Sequence, residues 1–151
     1  MAVGGIEVPW EYDELVRLTR QALQDEREAA AFYDQLLRQV YRYDTVQALA
    51  QARHDERIHV MLLEDILREL TGMEPPPAGE VRPPVYGTVE EALRVALADE
   101  KEAIAFYERL AKMAITPAMR RTFLRIREDE ILHATLLEAL LRPDPPWMQN
   151  E

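Results

Sequence analysis

The chain has 151 residues, a length typical of one domain, and we predict a single domain spanning residues 1–151. Its 18 basic and 28 acidic side chains give a formal net charge of −10, which disfavours nucleic acid and anionic membranes as partners. Cysteine is absent, and this excludes disulfides, thiol catalysis, iron–sulfur clusters and cysteine-based zinc sites.

Apolar residues at helical spacing predict a first helix over about 10–40. Asp44, with Gln47 three residues later, has the pattern of a helix N-cap and predicts a second helix over about 44–71. Gly72 follows at the position where glycine commonly ends a helix. Because the connection between these two helices is short, we expect them to form an antiparallel hairpin.

Capping residues in the second half of the sequence predict another pair of helices. Thr88 with Glu91 is a capping box, which predicts a third helix over about 88–114. Thr116, followed by a proline, predicts the N-cap of a fourth helix over about 117–141. No segment alternates apolar and polar residues with a period of two, and the predicted class is therefore all-α.

Residues 72–87 connect the two hairpins and are rich in proline. Helix connections usually take about 2–8 residues, whereas this segment is long enough to span the roughly 40 Å of a neighbouring helix. The pattern predicts a four-helix bundle with one long crossover, in which the second and third helices run parallel. Residues 142–151 form a C-terminal tail.

The sequence carries no sign of a membrane segment or a secretory signal. It contains no run of 18 apolar residues, and residues 1–9 have neither a basic nor an apolar region. A cytoplasmic location without membrane association is therefore expected.

The two predicted hairpins are related by an internal repeat with an offset of 74 residues. The matched segments are 25–33 with 99–107, and 55–59 with 129–133. Identity to the shifted partner reaches 11 of 17 positions over 20–36 and 9 of 16 over 53–68, whereas 37–52 has none. The identical stretches lie midway along helices that would face each other, which indicates a shared element in the middle of the bundle.

Each repeat contains a glutamate and, 30 residues later, a Glu-x-x-His pair whose spacing places both side chains on one helix face. Four carboxylates at one level of the bundle would repel one another unless cations neutralise them. Oxygen and nitrogen ligands without thiolates suit a pair of iron or manganese ions. Duplication of a hairpin without a metal site is the structural alternative. The six candidate metal ligands are Glu26, Glu56, His59, Glu100, Glu130 and His133.

These motifs resemble those of rubrerythrin-like, single-domain members of the ferritin-like di-iron carboxylate superfamily. The resemblance covers about residues 11–141. It is carried by Glu26-x-x-Ala29-x-x-Phe32-Tyr33, Glu56-x-x-His59, Glu100-x-x-Ala103-x-x-Phe106-Tyr107 and Glu130-x-x-His133. It implies a ferritin-like four-helix bundle whose cofactors are two iron ions, with manganese or mixed metals as alternatives. It further implies that Glu26 and Glu100 are terminal ligands, that Glu56 and Glu130 bridge, and that His59 and His133 each bind one metal.

One position departs from the family pattern. Rubrerythrin peroxidases typically have a further glutamate three residues after the third-helix ligand, where this chain has Ala103. Glu102 is no substitute, because two residues along a helix place it about 200° from Glu100. The chain also lacks the cysteines of a rubredoxin-type centre, so we expect it to need an external electron donor.

Two tyrosines and two aspartates are expected to support the ligands and the chemistry: Tyr33, Tyr107, Asp55 and Asp129. Each tyrosine follows its glutamate by two helical turns, and its hydroxyl is expected to donate to a ligand glutamate of the other hairpin. Pseudo-twofold symmetry pairs Asp55 with His133, and Asp129 with His59. Simple packing of the tyrosines and solvent exposure of the aspartates are the alternatives.

The predicted function is that of an oxidoreductase whose Fe(II) form reacts with peroxide or dioxygen, by peroxide reduction or by ferroxidation, with a role in oxidative stress. The alternatives are iron binding and storage in a ferritin-like oligomer, and oxygenation of an unknown organic substrate. A homodimer is expected. Exchange of hairpins between its chains stays open, because a long crossover can also reach a neighbouring bundle.

Overall fold

A computed structural model describes residues 10–83 and 85–149. The four long helices are α1 (Trp10–Leu37), α2 (Tyr43–Thr71), α3 (Val89–Met113) and α4 (Pro117–Leu141), followed by a single 3₁₀ turn, Pro146–Met148. Within the described residues there is no β-strand, which confirms the all-α prediction. The prediction that residues 1–9 carry no secretory signal lies outside the described residues, as do the last two residues of the predicted tail.

Three of the predicted helix ends have the expected local geometry. The hydroxyl of Thr88 accepts a hydrogen bond from the backbone N–H of Glu91, and the hydroxyl of Thr116 accepts one from Met119. Gly72 ends α2 in the left-handed conformation, with φ of 68°, and its N–H donates to the carbonyl of Arg68. These caps satisfy backbone groups that the helices themselves leave without partners.

The turn between α1 and α2 differs from the prediction. Helix α1 ends at Leu37 rather than near residue 40, and α2 has Arg42 as its N-cap, so the assignment of Asp44 as the cap was wrong. Asp44 already lies inside the first helical turn. Its carboxylate pairs with Arg42 at 3.2 Å and accepts a hydrogen bond from the N–H of Thr45. A negative charge in a first turn is favourable without being the cap itself.

Ion pairs and hydrogen bonds fix the direction of each helix. In the first hairpin the Tyr12 hydroxyl donates to the carbonyl of Leu70, so the start of α1 lies beside the end of α2. In the second hairpin Lys101 pairs with Glu138 at 3.2 Å and Glu108 pairs with Arg127 at 2.9 Å, so α3 and α4 run antiparallel. Helix α1 also packs antiparallel on α3, and α2 on α4. Helices α2 and α3 therefore run parallel, as the long crossover predicted.

The crossover passes along α1. The guanidinium of Arg27 donates to the carbonyl of Pro76 at 3.0 Å, and the rings of Phe32 and Tyr86 meet edge to face with centroids 5.6 Å apart. These contacts hold the crossover against the four-helix bundle of its own chain.

The core is divided into two apolar clusters by a polar layer. One cluster, around Leu23, Leu63 and Phe123, fills the half of the bundle that contains the start of α1. The other, around Leu49 and Leu137, fills the opposite half. Burial of these side chains provides the main driving force for folding and holds the backbone rigid on both sides of the polar layer. No helix within residues 10–83 and 85–149 has the length and apolarity needed to cross a membrane.

Candidate metal centre

The polar layer consists of the six side chains predicted as metal ligands, and all of them are buried. They form two overlapping groups, in each of which one oxygen or nitrogen atom per residue lies within 4.8 Å of the others. Both groups contain Glu56 and Glu130. The first group adds Glu26 and His59, and the second adds Glu100 and His133. The arrangement follows the twofold relation of the sequence repeat, with the two shared glutamates at its centre.

Each histidine directs its Nδ1 atom at carboxylate oxygens. Nδ1 of His59 lies 3.1 Å from Oε1 of Glu130 and 3.4 Å from Oε2 of Glu26. Nδ1 of His133 lies 3.0 Å from Oε1 of Glu56 and 3.5 Å from Oε1 of Glu100. Both Nδ1 atoms are buried without a hydrogen-bond partner.

Two aspartates hold the outer nitrogen of each histidine. Nε2 of His59 lies 2.8 Å from Oδ2 of Asp129, and Nε2 of His133 lies 2.8 Å from Oδ2 of Asp55. These are the pairings expected from the sequence. A carboxylate at Nε2 keeps the proton on that atom, so the Nδ1 lone pair points into the centre as a metal ligand requires.

Two tyrosines bind the outer glutamates across the bundle. The hydroxyl of Tyr33 donates to Oε1 of Glu100, and that of Tyr107 to Oε1 of Glu26, both at 2.5 Å. Burial raises the pKa of Tyr33 well above its usual value, and the charge of Glu100 raises it further. Burial together with Glu26 does the same for the pKa of Tyr107. Both phenols therefore stay protonated and act as hydrogen-bond donors.

The layer contains more buried acceptors than donors. The unpartnered buried atoms among the described side chains are Oε2 of Glu26, Oε1 of Glu56, Oε2 of Glu100, Oε1 of Glu130 and Nδ1 of His59 and His133. All six belong to the predicted ligands. Lone pairs that face one another in a buried site are unfavourable without a cation between them. The donor set of four carboxylates and two imidazoles thus fits two divalent ions of the iron or manganese type.

Burial and mutual repulsion control the ionisation of the shared glutamates. Burial raises the pKa of Glu56 well above the usual carboxyl range, and the charges of Glu26 and Glu130 raise it further. Burial, with Glu26 and Glu100, raises the pKa of Glu130 in the same way. Without metal, the centre therefore retains protons that two divalent cations would displace.

A cleft between α1 and α3, which was not predicted from the sequence, leads to this layer. Its volume is about 350 Å³, and Ala29, Ala103, Phe32 and Phe106 are among its lining residues. The four ligand glutamates and both tyrosines also line it. Ala103 occupies the position of the additional family glutamate, so a small side chain leaves space there. The signal was present in the sequence, because the repeat pairs small and aromatic residues at these positions in both hairpins.

The profile of the Rubrerythrin family matches residues 17–141, which include all six candidate ligands. No curated protein matches the chain.

Three solved structures share the fold. A ferritin-like di-iron carboxylate protein from Bacillus anthracis is 22% identical, with a TM-score of 0.73 over 87% of this chain and 98% of that one. Bacterioferritin from Desulfovibrio desulfuricans is 20% identical, with a TM-score of 0.74 over 87% of this chain and 80% of that one. A two-domain protein from Anabaena variabilis with DJ-1/ThiJ/PfpI-like and ferritin-like domains is 20% identical, with a TM-score of 0.71 over 89% of this chain and 40% of that one.

Proposed function

Because the chain belongs to the rubrerythrin family, we propose that it is a non-haem di-iron oxidoreductase whose reduced form reacts with peroxide or dioxygen. The observation that carries the proposal is the set of six buried, unpartnered ligand atoms, divided into two groups that share Glu56 and Glu130. A single-metal site would not need two groups of this kind.

In this proposal each residue of the layer has a distinct task. Glu56 and Glu130, which belong to both groups, would each contribute to both metal ions, while Glu26 with His59 would complete one group and Glu100 with His133 the other. Two ferrous ions supply two electrons, which is what the reduction of hydrogen peroxide and two protons to two water molecules consumes. The protein contributes geometry and charge, because its ligands are fixed by helices on every side.

The surrounding residues keep the ligands oriented and limit access of water. Asp55 and Asp129 hold the imidazoles in the required tautomer, and Tyr33 and Tyr107 hold the outer carboxylates. The apolar clusters on both sides close the bundle, so the cleft between α1 and α3 is the approach for small reactants.

Ferroxidation with iron binding is the second candidate, and the acidic rim of the cleft favours it. Asp25, Glu28, Asp99 and Glu102 lie on the lining of the cleft, where they attract cations such as Fe(II). In that case Fe(II) is a substrate that is replaced after oxidation rather than a permanent cofactor.

The test begins with the metal content of protein purified without added metal, in which two metal ions per chain are expected. The Fe(II) form is then mixed in stopped-flow experiments with hydrogen peroxide and, separately, with dioxygen. Faster oxidation by peroxide, complete at two Fe(II) per chain, supports a peroxidase. Continued oxidation of excess Fe(II) by dioxygen supports ferroxidation, and protein that binds no transition metal contradicts both.

A further inference from the structure

Four carboxylates at the rim of the cleft have no part in the centre itself. Asp25 and Glu28 lie on α1, and Asp99 and Glu102 lie on α3, all with exposed side chains. The repeat offset of 74 residues relates the two pairs, so they stand on opposite sides of one opening. The rim therefore has the same approximate twofold symmetry as the ligands below it.

These rim carboxylates are not neutralised by neighbouring basic side chains. Among residues 10–83 and 85–149, no Lys, Arg or His makes a salt bridge with any of the four. On α1 the hydrogen bonds to the rim come from neutral amides, from Gln21 to Asp25 at 2.8 Å and from Gln24 to Glu28 at 3.0 Å. Within the described residues, no basic partner therefore offsets the charge of the rim carboxylates.

The basic residues between the rim carboxylates are directed away from the opening. Arg27, between Asp25 and Glu28 in sequence, lies 3.9 Å from Glu64 of α2 and donates to the carbonyl of Pro76. Lys101, its counterpart in the repeat, pairs with Glu138 of α4 at 3.2 Å. In each hairpin, a glutamate of the second helix therefore pairs with the basic side chain that lies between the rim carboxylates in sequence.

Two buried glutamates at the inner end of the cleft provide an independent indication that a cation enters there. Glu26 and Glu100 are each only 3% exposed and line the same cleft, directly next in sequence to Asp25 and Asp99. The Oε2 atom of each is buried without a hydrogen-bond partner. A cation that passes the rim therefore meets unpartnered carboxylate oxygens at the inner end of the cleft.

We propose that the cleft between α1 and α3 is the loading route for divalent metal ions, and that Asp25, Glu28, Asp99 and Glu102 attract the hydrated ion before Glu26 and Glu100 bind it. The proposal rests on the proposed function, because it needs a metal centre to be loaded. Clefts lined by one sign of charge raise association rates by roughly 10- to 1000-fold at low ionic strength. The function of the rim is thus kinetic, whereas the capacity of the centre depends on the six ligands.

The experiment measures loading of the metal-free protein with Co²⁺, which is bound by the same kinds of ligand and whose absorption reports binding without any oxidation. Stopped-flow traces at increasing salt give the second-order rate constant for the wild type, Asp25→Asn/Asp99→Asn and Glu28→Gln/Glu102→Gln. The matched control is Glu11→Gln/Glu69→Gln. It removes two exposed carboxylates, one at the start of α1 and one near the end of α2, away from the cleft. Equilibrium titrations give the number of ions bound.

We expect each rim variant to load at least about tenfold more slowly than wild type at low salt, and the difference to shrink as salt is added. Both should still bind two ions per chain, and the control should load like wild type. Unchanged rates in rim variants that bind two ions would overturn the route alone, as would an equal slowing in the control. A wild-type chain that binds no Co²⁺ would overturn the metal centre and the route together.

Discussion

The orientation of two histidine rings depends on two aspartates outside the ligand set. Asp129 and Asp55 lie 2.8 Å from the Nε2 atoms of His59 and His133, and each aspartate belongs to the hairpin opposite its histidine. The repeat therefore supplies both the candidate ligands and the aspartates that orient them, and neither hairpin has a complete set. This reciprocity explains why the identical stretches of the sequence extend beyond the ligands themselves.

Substitution of Asp129 tests this support. Asp129→Ala removes the acceptor for the Nε2 proton of His59, so the ring loses its fixed tautomer and orientation. Loss of such a partner typically lowers metal affinity about 10- to 100-fold. Competition between the protein and a chelator for Co²⁺ should show a loss of this size. Asp129→Asn keeps an acceptor oxygen and should lose less, whereas equal losses in the two variants would contradict the tautomer argument.

Substitution of the two shared glutamates tests whether the centre binds two metal ions. Glu56 and Glu130 belong to both ligand groups, so Glu56→Ala or Glu130→Ala should abolish binding of at least one metal ion. Metal analysis after dialysis against Fe(II) or Co²⁺ gives the stoichiometry, with Glu69→Gln on the exposed face of α2 as control. Full occupancy by two ions in Glu56→Ala/Glu130→Ala would rule out the proposed centre.

At the scale of the helix, the end of α2 is fixed by a single residue in a conformation that few residues other than glycine adopt. That residue is Gly72, which ends α2 at a φ of 68°, in the left-handed region. Gly79 belongs to the same crossover and has no such φ. A Cβ atom at either position would meet no atom within 4 Å, so conformation rather than space distinguishes the two glycines.

We therefore expect Gly72→Ala to lower the free energy of unfolding by roughly 1 kcal/mol, since a residue with a Cβ atom is strained in this region. For a chain of this size that corresponds to a fall in Tm of about 2–4 °C. Gly79→Ala should leave Tm nearly unchanged. Thermal melts of the two variants beside wild type make the comparison, and equal effects would show that φ is not the cause.

The sequence predicted the helices and brought out the six candidate ligands because both depend on local spacing. Thr88, Thr116 and Gly72 are local signals, and the Glu-x-x-His pairs need only the helical period to bring their side chains to one face. The assignment of Asp44 was wrong because Arg42 takes the extended conformation of a cap, and side-chain chemistry alone does not decide that choice. The repeated small and aromatic residues indicate which side chains line the cleft, but its volume depends on the distance between α1 and α3, which the sequence does not give.

At the scale of the whole molecule, the buried layer couples folding to metal and to protons. The raised pKa of Glu56 and Glu130 means that the native metal-free protein binds protons more tightly than the unfolded chain. The free energy of unfolding then falls as pH rises from their usual value of 4.5 through the raised pKa. The negative charges of Glu26 and Asp129 beside the ring outweigh the effect of burial and raise the pKa of His59, which lowers the free energy of unfolding in the same way above pH 6.5.

Metal-free protein should therefore lose thermal stability between pH 5 and pH 8. The lowered pKa of Glu26 has the opposite sign, but it acts only below 4.5 and so outside this interval. Melts in the presence of a chelator measure the effect, and protein loaded with two metal ions should show a smaller decline. In Glu56→Gln/Glu130→Gln the two groups no longer titrate, so its metal-free Tm should vary less with pH. A metal-free wild type that becomes steadily more stable as pH rises would contradict the argument.

The same layer makes each hairpin dependent on the other, since each provides one outer glutamate, one shared glutamate and one histidine. We predict a homodimer in solution, measurable by analytical ultracentrifugation, and the remaining question is whether its chains exchange hairpins. The crossover contacts α1 of its own chain through Arg27 and Phe32. These contacts favour bundles that are complete within one chain.

Mixing two half-site variants distinguishes the arrangements. A Glu56→Ala/His59→Ala chain and a Glu130→Ala/His133→Ala chain are unfolded together, refolded, and separated through different affinity tags so that only heterodimers remain. Because exchanged hairpins would unite the intact half of each chain, a swapped heterodimer would regain one bundle with all six ligands and would bind two metal ions there. Without exchange, each bundle still lacks one glutamate and one histidine of the six candidate ligands. We expect the heterodimer to bind no more metal than the separate variants, and recovery of one complete site per dimer would show that the crossover runs between chains.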